Sequence, residues 1–267
     1  MHYTDDGAGT PIVLLHGNGV TNLDWRTSGV LELLAREHRV LAFDRPGFGY
    51  SDRPRGTVWT PEQQAMLVHE ALQQLDAPNA IVVGHSWGTL VALALALNHT
   101  ADVRRLVLLS GYYFPTARLD VPISSAPAIP VLGDVLRYTA SPVLGRLTAP
   151  LLVAQLFAPL PVPERFARFP LSMALRPSQL RANAEDTALM VPSARGLAER
   201  YTDLAVPVAI VTGDEDQIVS PSAQSERLAQ TVPGSTLRSI AGAGHMVHYA
   251  APELVAQTIT RDGMLVA

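Results

Sequence analysis

Gly84-His85-Ser86-Trp87-Gly88 lies between the apolar run Ala80 to Val83 and a helical pattern that continues to Asn98. A tight turn joining a strand to a helix holds its central residue in strained backbone, so the Ser86 hydroxyl is expected to project above a sheet. Glycine two residues to either side lets strand and helix approach closely, which a Cβ would prevent. With 19 glycines and 15 serines in 267 residues, the spacing G-x-S-x-G arises by chance about 0.07 times. Its setting between strand and helix therefore makes Ser86 a candidate nucleophile rather than an incidental turn residue.

Working outward, short apolar runs bounded by turn residues alternate with longer helical patterns. The strands predicted are Pro11 to Leu15, Arg39 to Phe43, Ala80 to Val83, Val103 to Leu109, Pro207 to Thr212 and Ser235 to Ile240. Most are continuous apolar runs, as expected of parallel strands covered on both faces. Helices are predicted at Pro61 to Leu75, Trp87 to Asn98, Pro221 to Thr231 and Pro252 to Thr260, three of them opening on a proline suited to a first helical turn. The fold class is α/β, a mostly parallel sheet flanked by helices.

The alternation breaks once. Between Tyr112 and Arg200 no strand pattern occurs, and this third of the chain holds 12 of the 21 prolines among apolar helix-like pieces such as Leu151 to Phe157. It is too apolar for a disordered linker. We read residues 112–200 as an inserted helical cap without a core of its own, and residues 1–111 with 201–267 as the body that carries it.

Composition removes several reaction classes. All 20 basic residues are arginine, which excludes a Schiff-base lysine and a P-loop lysine, and the absence of cysteine excludes thiol nucleophiles, thiolate metal sites and disulfides. The net charge of -4 is spread along the chain, so no basic stripe is available for nucleic acid. The longest uninterrupted apolar stretch, Leu90 to Leu97, is far below a membrane span, and no signal-like segment opens the chain. No transmembrane segment is expected, and cytoplasmic is the default location.

An alcohol near neutral pH is a poor nucleophile, so Ser86 requires a base, and the base a partner that fixes its tautomer. Only eight histidines are present. His245 follows the glycine-rich turn Ala241 to Gly244 just after an apolar strand, where loops at strand ends collect catalytic groups, which makes it the preferred base. His248, three residues on, is its competitor, or a helix-entry residue. For the acid, the strand Pro207 to Thr212 runs into Asp214, Glu215 and Asp216, and all three compete on position alone. Asp214 and Glu215 also suit a solvated turn that caps the next helix.

A tetrahedral intermediate needs two donors for its oxyanion. The turn His16-Gly17-Asn18-Gly19, after the strand Pro11 to Leu15, offers the main-chain N–H of Asn18, and Trp87 offers the second. His16 is expected to brace this loop rather than to titrate. In the turn Asp44 to Ser51, an ion pair between Asp44 and Arg45 is expected as a structural contact.

Taken together, HGNG at 16–19, DRPGFGYS at 44–51, GHSWG at 84–88, GDED at 213–216 and GAGH at 242–245 resemble the α/β-hydrolase family across essentially the whole chain. The order Ser, acid, His is that of the fold. The resemblance implies that Asp216 is the acid and His245 the base, with a helical cap inserted after the strand that follows the elbow. Two departures stand out. The family usually begins with a two-stranded antiparallel edge, but only His2 to Thr4 precede Pro11 as strand-like residues, so the first strand is expected to be absent. Asn18 and Trp87 look like the halide-holding pair of the haloalkane dehalogenases, yet Ser86 stands where those enzymes and epoxide hydrolases need aspartate, which sets both activities aside.

The expected activity is hydrolysis of a small carboxylic ester with a hydrophobic group, through an acyl-enzyme on Ser86, with His245 as base and Asp216 as orienting acid. No metal or organic cofactor is required, and the chain is expected to be a monomer or a homodimer. The same triad also serves a cofactor-free perhydrolase or haloperoxidase-like enzyme, a carbon-carbon bond hydrolase acting on β-diketones, and an acyltransferase. A small-molecule receptor or accessory protein with a vestigial site is the reading from a different class.

Overall fold

In the computed structural model, which describes residues 1–118 and 120–261, a seven-stranded sheet is ordered β1-β3-β2-β4-β5-β6-β7. The strands are β1 (Tyr3–Asp6), β2 (Pro11–Leu15), β3 (Arg39–Phe43), β4 (Ala80–His85), β5 (Val103–Leu109), β6 (Val208–Gly213) and β7 (Thr236–Ile240). All neighbouring pairs are parallel except β1 with β3, which is antiparallel. The expectation of a missing first strand is thus corrected. β1 is short and acidic, and it forms because Tyr3 lies opposite Phe43 with the rings 5.6 Å apart, while Arg39 pairs with Asp5 and Arg26 with Asp6, each at 2.8 Å.

Successive residues of each strand point to opposite faces, and the core divides accordingly. Val13, Leu15, Leu41, Phe43, Val82, Leu106, Leu108 and Ile210 face one side, under α3 (Pro61–Gln74) and α4 (Gly88–Asn98). Ile12, Leu14, Val40, Ala42, Ile81, Val83, Val107, Leu109 and Val211 face the other. There they meet α1 (Leu23–Thr27), α2 (Val30–Leu34), α11 (Val247–Ala250) and α12 (Pro252–Thr260). α1 and α2 were not anticipated. The helix predicted at Pro221 to Thr231 is a π-helical turn, Ser222–Glu226, followed by α10 (Arg227–Thr231).

Between β5 and β6 the chain forms a helical cap: α5 (Val121–Ser124), α6 (Leu132–Tyr138), α7 (Ala140–Phe157), α8 (Leu171–Ala174) and α9 (Pro177–Ala198). The cap is seated on the body partly through Phe157, Phe166 and Phe169, which pack with Val20, Met246 and Tyr249. α7 has 18 residues and is long and apolar enough, by length and composition only, for a membrane span, and only 6% of it is buried. It exceeds the apolar run read from sequence because Arg146, Thr148 and Gln155 interrupt the letters without interrupting the helix.

Because β3 lies on one side of β2 and β4 on the other, the strand order reverses at β2 and β4. A crevice opens beyond the carboxyl ends of the strands at such a point. The loops after β2, β4, β6 and β7 converge there.

Candidate active site

The turn after β4 shows why both glycines are needed. A Cβ on Gly84 would lie 2.7 Å from the Gly88 carbonyl oxygen and the Thr89 Cα, and a Cβ on Gly88 would lie 2.4 Å from the Leu15 carbonyl oxygen. Helix α4 therefore presses directly on β4 and β2. Ser86 between them takes the left-handed φ of 51°, unfavourable for a side-chain-bearing residue, and its N–H is held by the Leu109 carbonyl at 2.9 Å.

This strain directs the hydroxyl at His245, whose Nε2 is 2.9 Å from Ser86 Oγ. On the other side of the ring, His245 Nδ1 is 2.8 Å from Asp216 Oδ2. The second Asp216 oxygen accepts the N–H groups of Ile218 and Val219 at 2.8 and 2.9 Å, so the carboxylate cannot swing away. Nδ1 of His245 thus carries the proton, and Nε2 is free to accept one from Ser86. Of the competing carboxylates, Asp214 accepts the Gly242 N–H at 2.7 Å and ties the two loops together, and Glu215 is exposed.

His248 points elsewhere. Its Nε2 bonds to Asp24 Oδ2 at 2.8 Å, and Asp24 also accepts from the Tyr249 hydroxyl, all inside the body. His85 donates to the His245 carbonyl at 3.2 Å, and burial, with His248 and His245 nearby, holds its pKa well below the ordinary value. His16 braces its loop as expected: Nδ1 donates to the Gly17 carbonyl at 2.7 Å and Nε2 accepts the Arg45 N–H at 3.0 Å. Burial and the Arg45 charge keep its pKa well below the usual imidazole range.

Asn18 and Trp87 line the same cavity as Ser86. Gly17 lies so close that a Cβ there would be 3.1 Å from that of Ser86. Asn18 Oδ1 accepts from Arg45 at 2.7 Å, and the Trp87 indole donates to the Asp186 carbonyl at 2.9 Å. Trp87 therefore presents no free indole N–H to a halide.

The expected contact between Asp44 and Arg45 is not formed. Asp44 accepts from His2 and from the Asn22 and Tyr50 N–H groups, whereas Arg45 turns inward between Phe48 and Trp87 and pairs with Asp186 of α9. Adjacent residues on an extended loop point in opposite directions, which separates the two side chains.

The cavity over Ser86 has a volume of about 200 Å³. Its apolar wall includes Val20, Leu156, Met190, Val219 and Met246, and a polar wall includes Arg118, Asn183 and Thr187. Sequence reasoning missed the cap residues, although Asn183, Thr187 and Met190 recur at the 4 and 3 spacing of one helix face. A second, largely apolar cavity of about 260 Å³ adjoins through Met246, between Phe157, Leu160 and Tyr249. Among the described residues, two sets of side chains stand close enough to share a metal ion, buried Asp24, His85 and His248, and the more accessible His69, His99 and Asp102. In each the carboxylate is already bonded to one of the imidazoles.

Residues 10–252 match the family model described as the alpha/beta hydrolase fold. The chain belongs to the α/β-hydrolase family. Within it, the chain is 38% identical over 142 residues to a 2-hydroxy-6-oxo-2,4-heptadienoate hydrolase of Pseudomonas putida, spanning 51% of each protein, about half the length of that relative. A 2-hydroxymuconate semialdehyde hydrolase of the same species is 31% identical over 90% of this chain and 82% of its own. Haloalkane dehalogenase 2 of Mycobacterium tuberculosis is 26% identical over 97% of this chain and 90% of its own. Among solved structures, an esterase from a Rhodococcus species superposes with a TM-score of 0.75 at 27% identity, over 96% of this chain and 92% of that one. The chain thus has the α/β-hydrolase fold, with Ser86, His245 and Asp216 in a serine-hydrolase-type arrangement, and it is similar to proteins named as esterases, haloalkane dehalogenases and 2-hydroxymuconate semialdehyde hydrolases.

Proposed function

We propose that this α/β-hydrolase cleaves small carboxylic esters with a hydrophobic group through an acyl-enzyme on Ser86, with residues 112–200 acting as the cap that shapes the pocket. The observation that carries this reading is the unbroken chain Ser86 Oγ, His245, Asp216, with separations of 2.9 and 2.8 Å. In it Ser86 Oγ attacks the acyl carbon as His245 Nε2 takes its proton. The oxyanion lies against the Asn18 and Trp87 N–H groups. Collapse expels the alcohol, which receives the proton from His245. Water, deprotonated by the same imidazole, then attacks the acyl-enzyme and releases the acid. Asp216 holds the imidazole and balances its transient positive charge.

The apolar wall of the cavity and its apolar neighbour beyond Met246 support a hydrophobic acyl or alcohol group. Hydrolysis of a carbon-carbon bond on the same triad is the second reading, favoured by the likeness to 2-hydroxymuconate semialdehyde hydrolase over most of the chain. A vestigial receptor is disfavoured, since such a site has no need to keep Ser86, His245 and Asp216 in bonding register.

The test is turnover of short p-nitrophenyl esters beside a ring-cleavage diketone, with labelling by a fluorophosphonate. Ester cleavage and labelling of the wild type are expected, and Ser86→Ala is expected to lose both, with kcat lower on the order of 10⁶-fold. Cleavage of the diketone alone would favour the second reading, and an unlabelled, inactive wild type would end the enzymatic one.

A further inference from the structure

Helix α7 turns an apolar face outward. Leu144, Leu147 and Leu151 are 59, 74 and 64% exposed, and Val143 and Leu152 beside them are 59 and 53% exposed. From α6, packed against α7, Tyr138 adds a side chain 72% exposed. Side chains of this size, more than half open, each offer on the order of 100 Å² of apolar surface. The six therefore offer on the order of 600 Å², at or above the largest patch of a typical monomer. A stable interface takes roughly 800 Å² from each partner, a little over half of it apolar, and this face supplies that share.

We propose that this face pairs with the same face of a second copy of the chain, cap against cap. Leu144, Leu147, Leu151 and exposed Ala154 are separated by three, four and three residues, the seam spacing that lets one helix interlock with another. A two-fold axis near Leu147 sets Leu144 of one copy against Leu151 of the other, which makes the contact self-complementary and closed. A lipid surface fits less well. A helix lying in a lipid interface carries a strongly charged polar face, whereas the only charged residue in α7 is Arg146. The side of α7 turned from solvent is committed to the cap, with Gly145 against Leu175 and Phe157 in the aromatic cluster.

The test is the mass of the intact chain by light scattering and sedimentation equilibrium at micromolar concentration. A dimer is expected, and the variant carrying Leu147→Glu and Leu151→Glu is expected to be a monomer that still hydrolyses ester. Because the chain has no cysteine, a single Leu147→Cys substitution supplies a second readout that does not depend on the charged variant folding. Mild oxidation is expected to link Leu147→Cys chains into dimers, and to leave Val58→Cys, on an exposed residue outside the patch, unlinked. A monomeric wild type overturns the proposal, and so does a monomer that sediments with phosphatidylcholine vesicles. A dimer that survives the charged pair and leaves Leu147→Cys unlinked also overturns it, by placing the interface on another face.

Discussion

Arg45, on the loop after β3, and Asp186, inside cap helix α9, form an ion pair in which the side chains are 1 and 0% exposed. The same guanidinium bonds the His16 and Gly17 carbonyls and Asn18 Oδ1, while the Asp186 carbonyl holds the Trp87 indole. One buried charge pair thus joins the cap to both loops, those of Asn18 and Trp87, that line the cavity over Ser86.

Removing Asp186 leaves buried Arg45 without its carboxylate, whereas removing Arg45 leaves Asp186 paired with Arg53 at 2.9 Å. Asp186→Ala is expected to lose about 3–5 kcal/mol of stability, and Arg45→Ala less, because Arg53 still faces Asp186. The double variant is expected to lose less than the sum, because the second change removes the charge that the first orphaned. Equilibrium urea unfolding of the three variants measures this, and additive losses would show that the pair is not coupled.

The two neighbouring histidines are separable by what they hold. His245→Ala is expected to abolish ester turnover, at a cost in stability comparable to that of His248→Ala, since buried Asp216 likewise loses a partner. His248→Ala strips Asp24 of one of its buried partners and is expected to cost about 1–3 kcal/mol in stability. Ester turnover by its folded fraction is expected to stay within about tenfold of wild type. Paired measurements of kcat and unfolding decide it, and an inactive but stable His248→Ala would exchange the two assignments.

Among the carboxylates after β6, Asp216→Asn is expected to lower kcat on the order of 10⁴-fold, since an amide favours the wrong imidazole tautomer. Asp214→Asn keeps an oxygen for the Gly242 N–H and is expected to change kcat little. A steady-state comparison on one ester is sufficient.

These residues were legible because each stands where a strand gives way to a loop, and strand ends are marked locally by apolar runs meeting glycine. Glu215 and Asp214 were separable from Asp216 partly through the family resemblance and partly because they suit a solvated turn, since position alone admits all three. β1 was hidden because its letters, Tyr3 to Asp6, are polar, and only pairing with β3 and Arg39 makes them a strand. Helices α1 and α2 are too short to show a period, at five residues each. Arg45 was assigned to its neighbour Asp44 because its real partner is 141 residues away, a distance that no local pattern spans. The cap gave its helical character to the sequence but not its inward face, because α9 sets Asn183 and Thr187 toward Ser86 only through packing on the body.

Likeness to haloalkane dehalogenases raises the question of halide binding, and Trp87 answers it. Its indole N–H is engaged by Asp186, so bromide is expected to inhibit ester cleavage no more than sulfate at equal ionic strength. Trp87→Phe keeps the main-chain N–H and is expected to retain most of the kcat, while losing about 1 kcal/mol of stability with the hydrogen bond. Bromide-specific inhibition that disappears in Trp87→Phe would contradict the geometry.

Acid should unfold this protein through its dry imidazoles. His16 and His85 are 0 and 2% exposed, and burial, their largest influence, sets the folded pKa of each well below the ordinary 6.5. Above pH 6.5 both are neutral whether folded or unfolded, so neither makes stability depend on pH. As pH falls below that value, the unfolded chain takes up protons that the folded chain refuses, and the stability present at neutral pH is lost. While both stay neutral in the folded state, the pair contributes a slope approaching about 2.7 kcal/mol per pH unit. His85→Gln retains a donor for the His245 carbonyl and lacks the titration, so its slope below pH 6.5 is expected to be shallower by about 1.4 kcal/mol per unit. Urea unfolding of wild type and His85→Gln across that range tests the claim. Parallel curves would mean that His85 is protonated as readily in the folded chain as in the unfolded one, which its closed surroundings of Trp25, His245 and His248 forbid.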